Sequence, residues 1–545
     1  MEIFIKPVNQ TMGSDKLIKI MASENVDDNL DLELKDFVKG NTDSLNPAFD
    51  LEKYNITPED VKEEVDGLSQ SFDPIPHEKV LKSLLEQIQP LDFRQIAKLE
   101  DKESLQRKHF IVCTIDELGK TAASNNWRLC RNNNQTYVFN GAYWKAIDSE
   151  SLDDVLGEAA EKMGVPWIDA RYHQIKRELR NQFDSTASLV APEKNAKSTL
   201  INLLNGTFEV SVERQILRPP SADDFITYQL PFGYDPKAQS PIFFEYLNKV
   251  QPDKERQAVL QEYLGYIFIS RQHLKLEKAL LLYGGGANGK SVFIEILSAL
   301  LGRENVSSYS LATLTDPKSY TRAELGLKLV NCSSEISGKM DNANFKLLAS
   351  GEPIEARHIY GKPFTMENYA KLLFSTNELP KEVEHTNGYY RRWLIVPFDV
   401  IVPEGEQDKE LAKRITSTEL SGIFNWVIEG LQRLLTQKKF TECSAVTQQI
   451  NELKKQSDSV QLFIEDEEYN PSINQTKALK DLYSDYKIYC VESGYRSCSL
   501  RTFSERLKKA DYDIQRKSAG NMVFIEKKDS SIPTSPTLDT LPFRQ

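Results

Sequence analysis

Leu280-Leu-Leu-Tyr-Gly-Gly-Gly-Ala-Asn-Gly-Lys-Ser-Val-Phe-Ile-Glu295 joins an apolar run, a glycine-rich turn and an apolar-periodic stretch continuing to Leu301. The pattern G-x-x-x-x-G-K-S thus stands between a predicted strand and a predicted helix, Val292 to Leu301, the context in which it cradles phosphate. Backbone N–H groups of Gly284, Gly285, Gly286, Ala287, Asn288, Gly289, Lys290, Ser291 and Val292 are the expected wrapping for a nucleotide. The helix N-terminus adds partial positive charge. Lys290 is expected to reach the β- and γ-phosphates of ATP, and the Ser291 hydroxyl to sit on Mg²⁺.

A phosphate loop alone says only that nucleotide binds. Hydrolysis also needs a carboxylate near metal and water, a polar sensor of the γ-phosphate, and often an arginine from a neighbour. Gly326 to Glu335 reads as an apolar strand ending in a carboxylate, so Glu335 is the candidate to polarise the attacking water and, with Ser291, to serve the metal. Lys371-Leu-Leu-Phe-Ser-Thr-Asn377 is a second such strand, with Asn377 as candidate sensor. Gly388-Tyr-Tyr-Arg-Arg392 puts two arginines ahead of a third strand, and adjacent guanidinium groups pack poorly unless an anion is near. Arg391 or Arg392 is the candidate finger for a neighbouring subunit's ATP. Between the first two strands, Ile354 to Tyr360 alternates like a strand, with Gly361-Lys362 as a hairpin tip. His358, Tyr360 and Lys362 there could hold a phosphate backbone and stack a base, or form a plain exposed hairpin.

The chain has 545 residues, 40% apolar, with a formal charge of −12. That length predicts several domains. Residues 1–100 carry 21 Asp and Glu against 11 Lys and Arg, so most of the negative charge lies there. The remainder is close to neutral and leaves room for local basic loops. The six cysteines form no C-x-x-C pair, which argues against a structural zinc site or a disulfide framework. No apolar run approaches the ~20 residues of a membrane span, and the N-terminus has no secretory pattern. A cytoplasmic protein with no membrane partner is expected.

Six regions follow. Residues 1–108 are acidic and poorly patterned, with one helix over Glu78 to Gln87; residues 109–250 form an α+β domain. That domain holds a hairpin over Tyr137 to Trp144 (turn Asn140-Gly141), helices over 151–185 and a hairpin with Asn205-Gly206 at its tip. Residues 251–400 alternate helix and strand as a P-loop core, and 401–456 are helical. Residues 457–527 read as three helices and two strands, a winged helix, and 528–545 as a disordered tail. The fold class expected is multidomain α/β.

The ordered set of Gly284 to Ser291, the strand ending at Glu335, Ala356 to Phe364, Phe374 to Pro380 and Gly388 to Arg392 resembles the superfamily 3 helicases, in particular the poxvirus-type and phage/plasmid primase-helicases. Asn205-Gly206-Thr207, Tyr228 to Pro236 and Tyr263 to Tyr266 look like the domain preceding such ATPases. The resemblance implies an AAA+-like core in a ring, usually a hexamer, moving 3′→5′ on single-stranded or forked DNA during replication of a phage, plasmid or other mobile element in a bacterial host. ATP would lie between subunits, with Lys290, Ser291, Glu335 and Asn377 from one side and Arg391 or Arg392 from the next. Lys346 corresponds to a motif lysine, and Lys362 and His358 would face DNA. The winged helix would hold DNA or a partner through Arg501, Arg506, Lys508 and Lys509. Two departures matter. Ser334 stands where many such ATPases carry Asp, and residues 1–108 offer no primase metal site, so primer synthesis is not expected and a separate primase is left open. Two other readings stay in view: an ATP-switched origin-binding initiator and a P-loop ATPase that remodels protein complexes.

Overall fold

The computed structural model describes residues 74–132, 135–187, 198–334, 336, 340–359, 361–380, 386–518 and 520–527. The expectations for Glu335, Tyr360, the tail from 528 and everything before residue 74 lie outside these. Sixteen strands are described in five sheets. The first small sheet holds β1 (Arg128–Asn132), β2 (Gln135–Phe139) and β3 (Trp144–Ile147). The second holds β4 (Thr199–Leu203), β5 (Gly206–Val210) and β6 (Gln215–Arg218).

The central sheet is fully parallel. It contains β7 (Ala279–Tyr283), β8 (Val306–Ser307), β9 (Val330–Ser333), β12 (Lys371–Thr376) and β13 (Trp393–Pro397), in the order β13-β7-β12-β9-β8. Two cores explain why β7, the middle of β12 and most of β13 are apolar. Leu280 and Leu282 of β7 face one core with the helix Lys290–Leu301, while Ala279 and Leu281 face the other with Phe345 and Leu348 of the helix Asn342–Ser350. Successive side chains of a strand point to opposite faces, so a sheet covered on both sides reads as a continuous apolar run. The short antiparallel pair β10 (Ile354–Ala356) and β11 (Phe364–Met366) projects between β9 and β12 in the chain.

The helix His77–Gln87 and residues Ile88 and Phe93 share a core with the helices Arg107–Ser124, Ser149–Lys162 and His173–Thr186, so packing runs across residue 108. The sheet β4-β5-β6 contributes Ile201, Phe208 and Val210 to the core under the central sheet, which also takes in the helices Pro241–Val250, Lys254–Tyr266, Leu411–Thr418 and Leu420–Gln437. Two close helix contacts seal it. A Cβ on Gly430 would meet the Gln261 carbonyl carbon at 2.6 Å, and one on Gly265 the Leu431 Cα at 2.8 Å.

The carboxyl-terminal unit packs the helices Ser459–Asp466, Leu479–Glu492 and Leu500–Lys509 against an antiparallel sheet β14-β16-β15. Its strands are β14 (Tyr469–Ala478), β15 (Ile514–Lys517) and β16 (Gly520–Lys527). The two-strand expectation is corrected here: β14 precedes the second helix. Its sequence is polar and mostly exposed, Pro471 interrupts it, and its register breaks between Pro471 and Thr476, so no alternation marks it. Two smaller shifts occur. The β4–β5 turn is Leu204-Asn205, with Gly206 already paired to Leu203, and the strand predicted over Ile354 to Tyr360 stops at Ala356. No described helix is long and apolar enough to cross a membrane.

Candidate nucleotide site and basic hairpin

The parallel register aligns three strand ends. Tyr283 pairs with Thr376, and Phe374 with Ser333, so the residues that follow each strand emerge side by side. A cavity of about 520 Å³ opens there, lined by Gly285 to Val292, Ser334, Ser375, Thr376 and Asn377. Loops beyond the carboxyl ends of parallel strands are the usual place for a ligand in open α/β sheets. The structure therefore brings together the glycine turn, Lys290, Ser291 and Asn377 around one cavity.

The turn's conformation explains its composition. Gly284 has φ +155° and Gly289 φ +86°; a Cβ at the first would lie 2.3 Å from the Phe398 carbonyl oxygen, and at the second 2.7 Å from Val250 Cγ1. Ala287 also takes a left-handed φ of 57°. Lys290 is buried, and its Nζ donates to the carbonyls of Gly284 (2.7 Å) and Gly285 (2.8 Å) and to Asn288 Oδ1 (3.0 Å). No carboxylate is among those partners. Burial lowers the pKa of its ammonium from the ordinary value. Ser291 is exposed beside it at the start of the helix. This is a cationic lining with a helix N-terminus, and it fits a polyphosphate.

Sequence reasoning missed the outer wall. Tyr246, Lys249 and Val250 come from the helix Pro241–Val250, and Val402, Glu406, Gln407, Asp408, Lys409 and Leu411 from the segment after the last strand. Tyr246 Oη donates to the Gly289 carbonyl (2.8 Å), Asn288 Nδ2 to that of Phe398 (2.9 Å), and the Val402 amide to that of Ala287 (2.8 Å). Lys249 and Glu406 form an ion pair of 2.7 Å between the two walls. No periodicity or motif flags these positions.

The two arginines are at the other edge of the sheet. β13 runs parallel to β7 with Trp393 opposite Ala279, so Arg391 and Arg392 lie level with the start of β7, whereas the glycine turn follows its end. Arg392 is buried; its Nε donates to Ser350 Oγ (3.0 Å), and its Nη1 to the Gly388 carbonyl. The side chain of Arg391 is 58% exposed and pairs with Glu277 at 2.8 Å. The anion that two adjacent arginines demanded is thus Glu277, which also binds Lys275 at 2.8 Å. Burial pushes the Glu277 carboxyl up, but Lys275, Arg392 and Arg391 outweigh it and hold it below the usual range.

The loop between β10 and β11 carries Arg357, His358, Ile359, Gly361 and Lys362, with His358 and Lys362 exposed. Arg357 lies over the Tyr320 ring at 4.5 Å, and His358 stacks on Phe364 at 5.4 Å. The buried Arg322 braces this hairpin through the Glu355 carbonyl at 2.8 Å. Lys346 sits half-buried on the helix Asn342–Ser350. In the carboxyl-terminal unit Arg501, Lys508 and Lys509 are exposed, but Arg506 turns inward to Asp458 at 3.0 Å. Among the described residues no group of three or more His, Cys, Asp or Glu side chains could hold a metal ion.

Two families match the chain. Residues 107–252 match the family described as D5 N terminal like, and residues 282–392 a family of unknown function, DUF5906. "Putative helicase L207/L206" of Acanthamoeba polyphaga mimivirus is 27% identical over 318 residues, covering 53% of this chain and 32% of that protein. "Putative helicase 121R" of Invertebrate iridescent virus 3 is 21% identical over 333 residues, covering 54% and 35%. The matched segment thus spans about a third of the length of these two relatives. The apo structure of the NrS-1 C-terminal region is similar with a TM-score of 0.42 at 12% identity, over 74% of this chain and 97% of that one. These matches support a place among the phage and viral primase-helicases.

Proposed function

We propose that this chain is the helicase portion of a replication machine, an ATP-driven translocase of the superfamily 3 type. The observation that carries the reading is the buried Lys290 ammonium, gathered by three neutral oxygens of the turn at the carboxyl edge of the sheet. An incoming phosphate would exchange those acceptors for charged ones, which bind an ammonium more strongly. Lys290 and the turn amides would hold the β- and γ-phosphates, and Asn377 would orient the attacking water or report the γ-phosphate. Mg²⁺ would enter with the nucleotide, take Ser291 as its described protein partner, and supply charge neutralisation on the phosphates. Glu335 would polarise the water. The glycine turn, central sheet and following helix are read as a P-loop core of AAA+ type, and the carboxyl-terminal unit as a winged helix with an added strand.

The hairpin loop with Lys362, His358 and Arg357 supports single-stranded DNA as the track, since cations near aromatic faces suit backbone and bases together. Arg501, Lys508 and Lys509 would give the winged helix a second DNA contact. Translocation 3′→5′ and a hexameric ring follow the superfamily resemblance. The test is ATP turnover with and without single-stranded DNA, with Lys290→Ala beside the wild type. DNA-stimulated turnover that the substitution abolishes is expected; wild-type turnover in Lys290→Ala would refute the proposal.

A further inference from the structure

The strands define how far apart the two halves of a hydrolysis site are within one copy. From Ala279, level with Trp393, to Gly284 is five steps of β-strand, about 16 Å. That is further than an arginine side chain extends. Neither Arg391 nor Arg392 can reach a phosphate held by Lys290 of its own chain, so either arginine could serve such a site only in a second copy. The two arginines are also not equivalent. Arg392 is buried with its guanidinium committed to Ser350 and Gly388, and moving it would strand those contacts. Arg391 is exposed, and its guanidinium has a single carboxylate partner, Glu277.

Glu277 carries a second, independent mark. Its backbone sits at φ 56°, a left-handed conformation unfavourable for a residue with a long side chain. That turn places its carboxylate between Lys275, Arg391 and Arg392, with side-chain exposure of 17%. Lys278, the next residue, donates from Nζ to the Arg391 carbonyl at 2.6 Å, so the two residues just before β7 both contact Arg391.

We propose that Arg391 is the arginine given to the adjoining copy's nucleotide, and that Glu277 is its resting counter-ion, a positioning residue that parks the guanidinium until a phosphate replaces the carboxylate. This rests on the ATPase reading above. On assembly the exchange is one ion partner for another: the Glu277–Arg391 pair opens, an Arg391–phosphate pair forms, and Lys275 and Arg392 remain to compensate Glu277. The parked state therefore opposes assembly by the strength of a half-exposed ion pair. Weakening that pair shifts assembly to lower protein concentration.

The test uses the full chain. Arg391→Ala, at an exposed position, is expected to bind a fluorescent ATP analogue like the wild type and to lose turnover. Mixed with Lys290→Ala, equally inactive alone, it is expected to regain turnover, because mixed interfaces pair an intact Lys290 with an intact Arg391. Glu277→Gln keeps the shape and removes the charge; its half-maximal turnover is expected at about 2- to 5-fold lower protein concentration, the size of an exposed ion pair's contribution. Turnover by Arg391→Ala alone, or failure of the mixture, would overturn the arginine assignment while Lys290-dependent hydrolysis stood. An unchanged or higher midpoint for Glu277→Gln would overturn the parking role. If Glu277→Gln loses thermal stability, Glu277→Asp decides: a shortened carboxylate that lowers the midpoint supports parking, and one that leaves it unchanged refutes it.

Discussion

Substituting Gly289 by alanine separates a turn shaped for a ligand from a turn that merely lacks side chains. At φ +86° an L-residue pays about 1–2 kcal/mol for the left-handed backbone. The added Cβ would also stand 2.7 Å from Val250 Cγ1 and 3.3 Å from Tyr246 Cε2, both on a buried helix face. Overpacking of that kind costs about 1–3 kcal/mol. Together the strain is about 2–5 kcal/mol, or roughly 30- to 4000-fold if expressed as lost affinity. The turn is free to relieve it by lifting off the helix, because Gly285, Gly286 and Ala287 are exposed. Lifting breaks the Tyr246–Gly289 hydrogen bond and moves the Lys290 amide, so the loss falls on nucleotide binding. Gly286→Ala is the matched comparison, since a Cβ there meets nothing within 4 Å. Titration with a fluorescent ATP analogue and a thermal melt should show Gly289→Ala at least 30-fold weaker and Gly286→Ala within about 3-fold of wild type. Wild-type affinity and melting for Gly289→Ala would refute the reasoning, because the turn would then not be held where the structure places it.

Two further substitutions probe other parts of the chain. Lys362→Ala, at the exposed hairpin loop, should keep basal ATP turnover, lose stimulation by single-stranded DNA, and reduce the salt dependence of DNA binding by about one phosphate contact; persistent stimulation would remove the hairpin from the DNA path. Lys371, at the start of β12 with its ammonium 4.1 Å from the Tyr266 ring, has its pKa pushed down to about 8 by burial. The unfolded chain then binds more protons than the folded one between about pH 8 and the ordinary lysine value, so this group adds stability as pH rises through that window. Thermal melts from pH 7.5 to 10.5 should show Lys371→Met with a higher melting point than wild type at the acid end and a smaller difference at the alkaline end; parallel curves would mean that Lys371 is not desolvated.

What was legible in the sequence followed from short-range chemistry. The glycine turn, the strand before it and the helix after it are contiguous, so one stretch carried all three. The strands ending near Ser333 and Thr376 were visible as apolar runs because a parallel sheet covered on both faces needs no polar residues. Placing Asn377 beside Lys290 then required only the assumption of a common sheet, which the register bears out. Glu277 stayed hidden for the opposite reason. Its part depends on a left-handed backbone and on two arginines more than a hundred positions away. β14 was hidden because an exposed polar strand has no face to bury, and the wall from Val402 to Leu411 because a loop contributes position without pattern. Arg506 shows the converse error: a basic residue in a basic helix reads as a nucleic-acid contact, yet its side chain is only 16% exposed and holds the cap of another helix, Asp458.

The three braces on the glycine turn bear on how such a site is built. Each comes from outside the motif: Tyr246 from the helix that leads in from the preceding domain, and Phe398 and Val402 from the segment that follows β13. Two of them end on carbonyls of Gly289 and Ala287, residues at positive φ, and the third runs from Asn288, which also takes a hydrogen bond from Lys290. The strained conformation is therefore held by elements on either side of the core, as strain at a functional site must be. A ligand that pulls Lys290 away from Asn288 acts directly on the Asn288–Phe398 bond, and so on the segment that closes the cavity. In a ring, the same sheet would carry that pull toward Arg391, because β13 begins at Trp393, two residues after the arginine, and ends at Pro397, one residue before Phe398. The strand is a rigid link of five residues between the turn proposed to hold a copy's own nucleotide and the arginine proposed to serve its neighbour's.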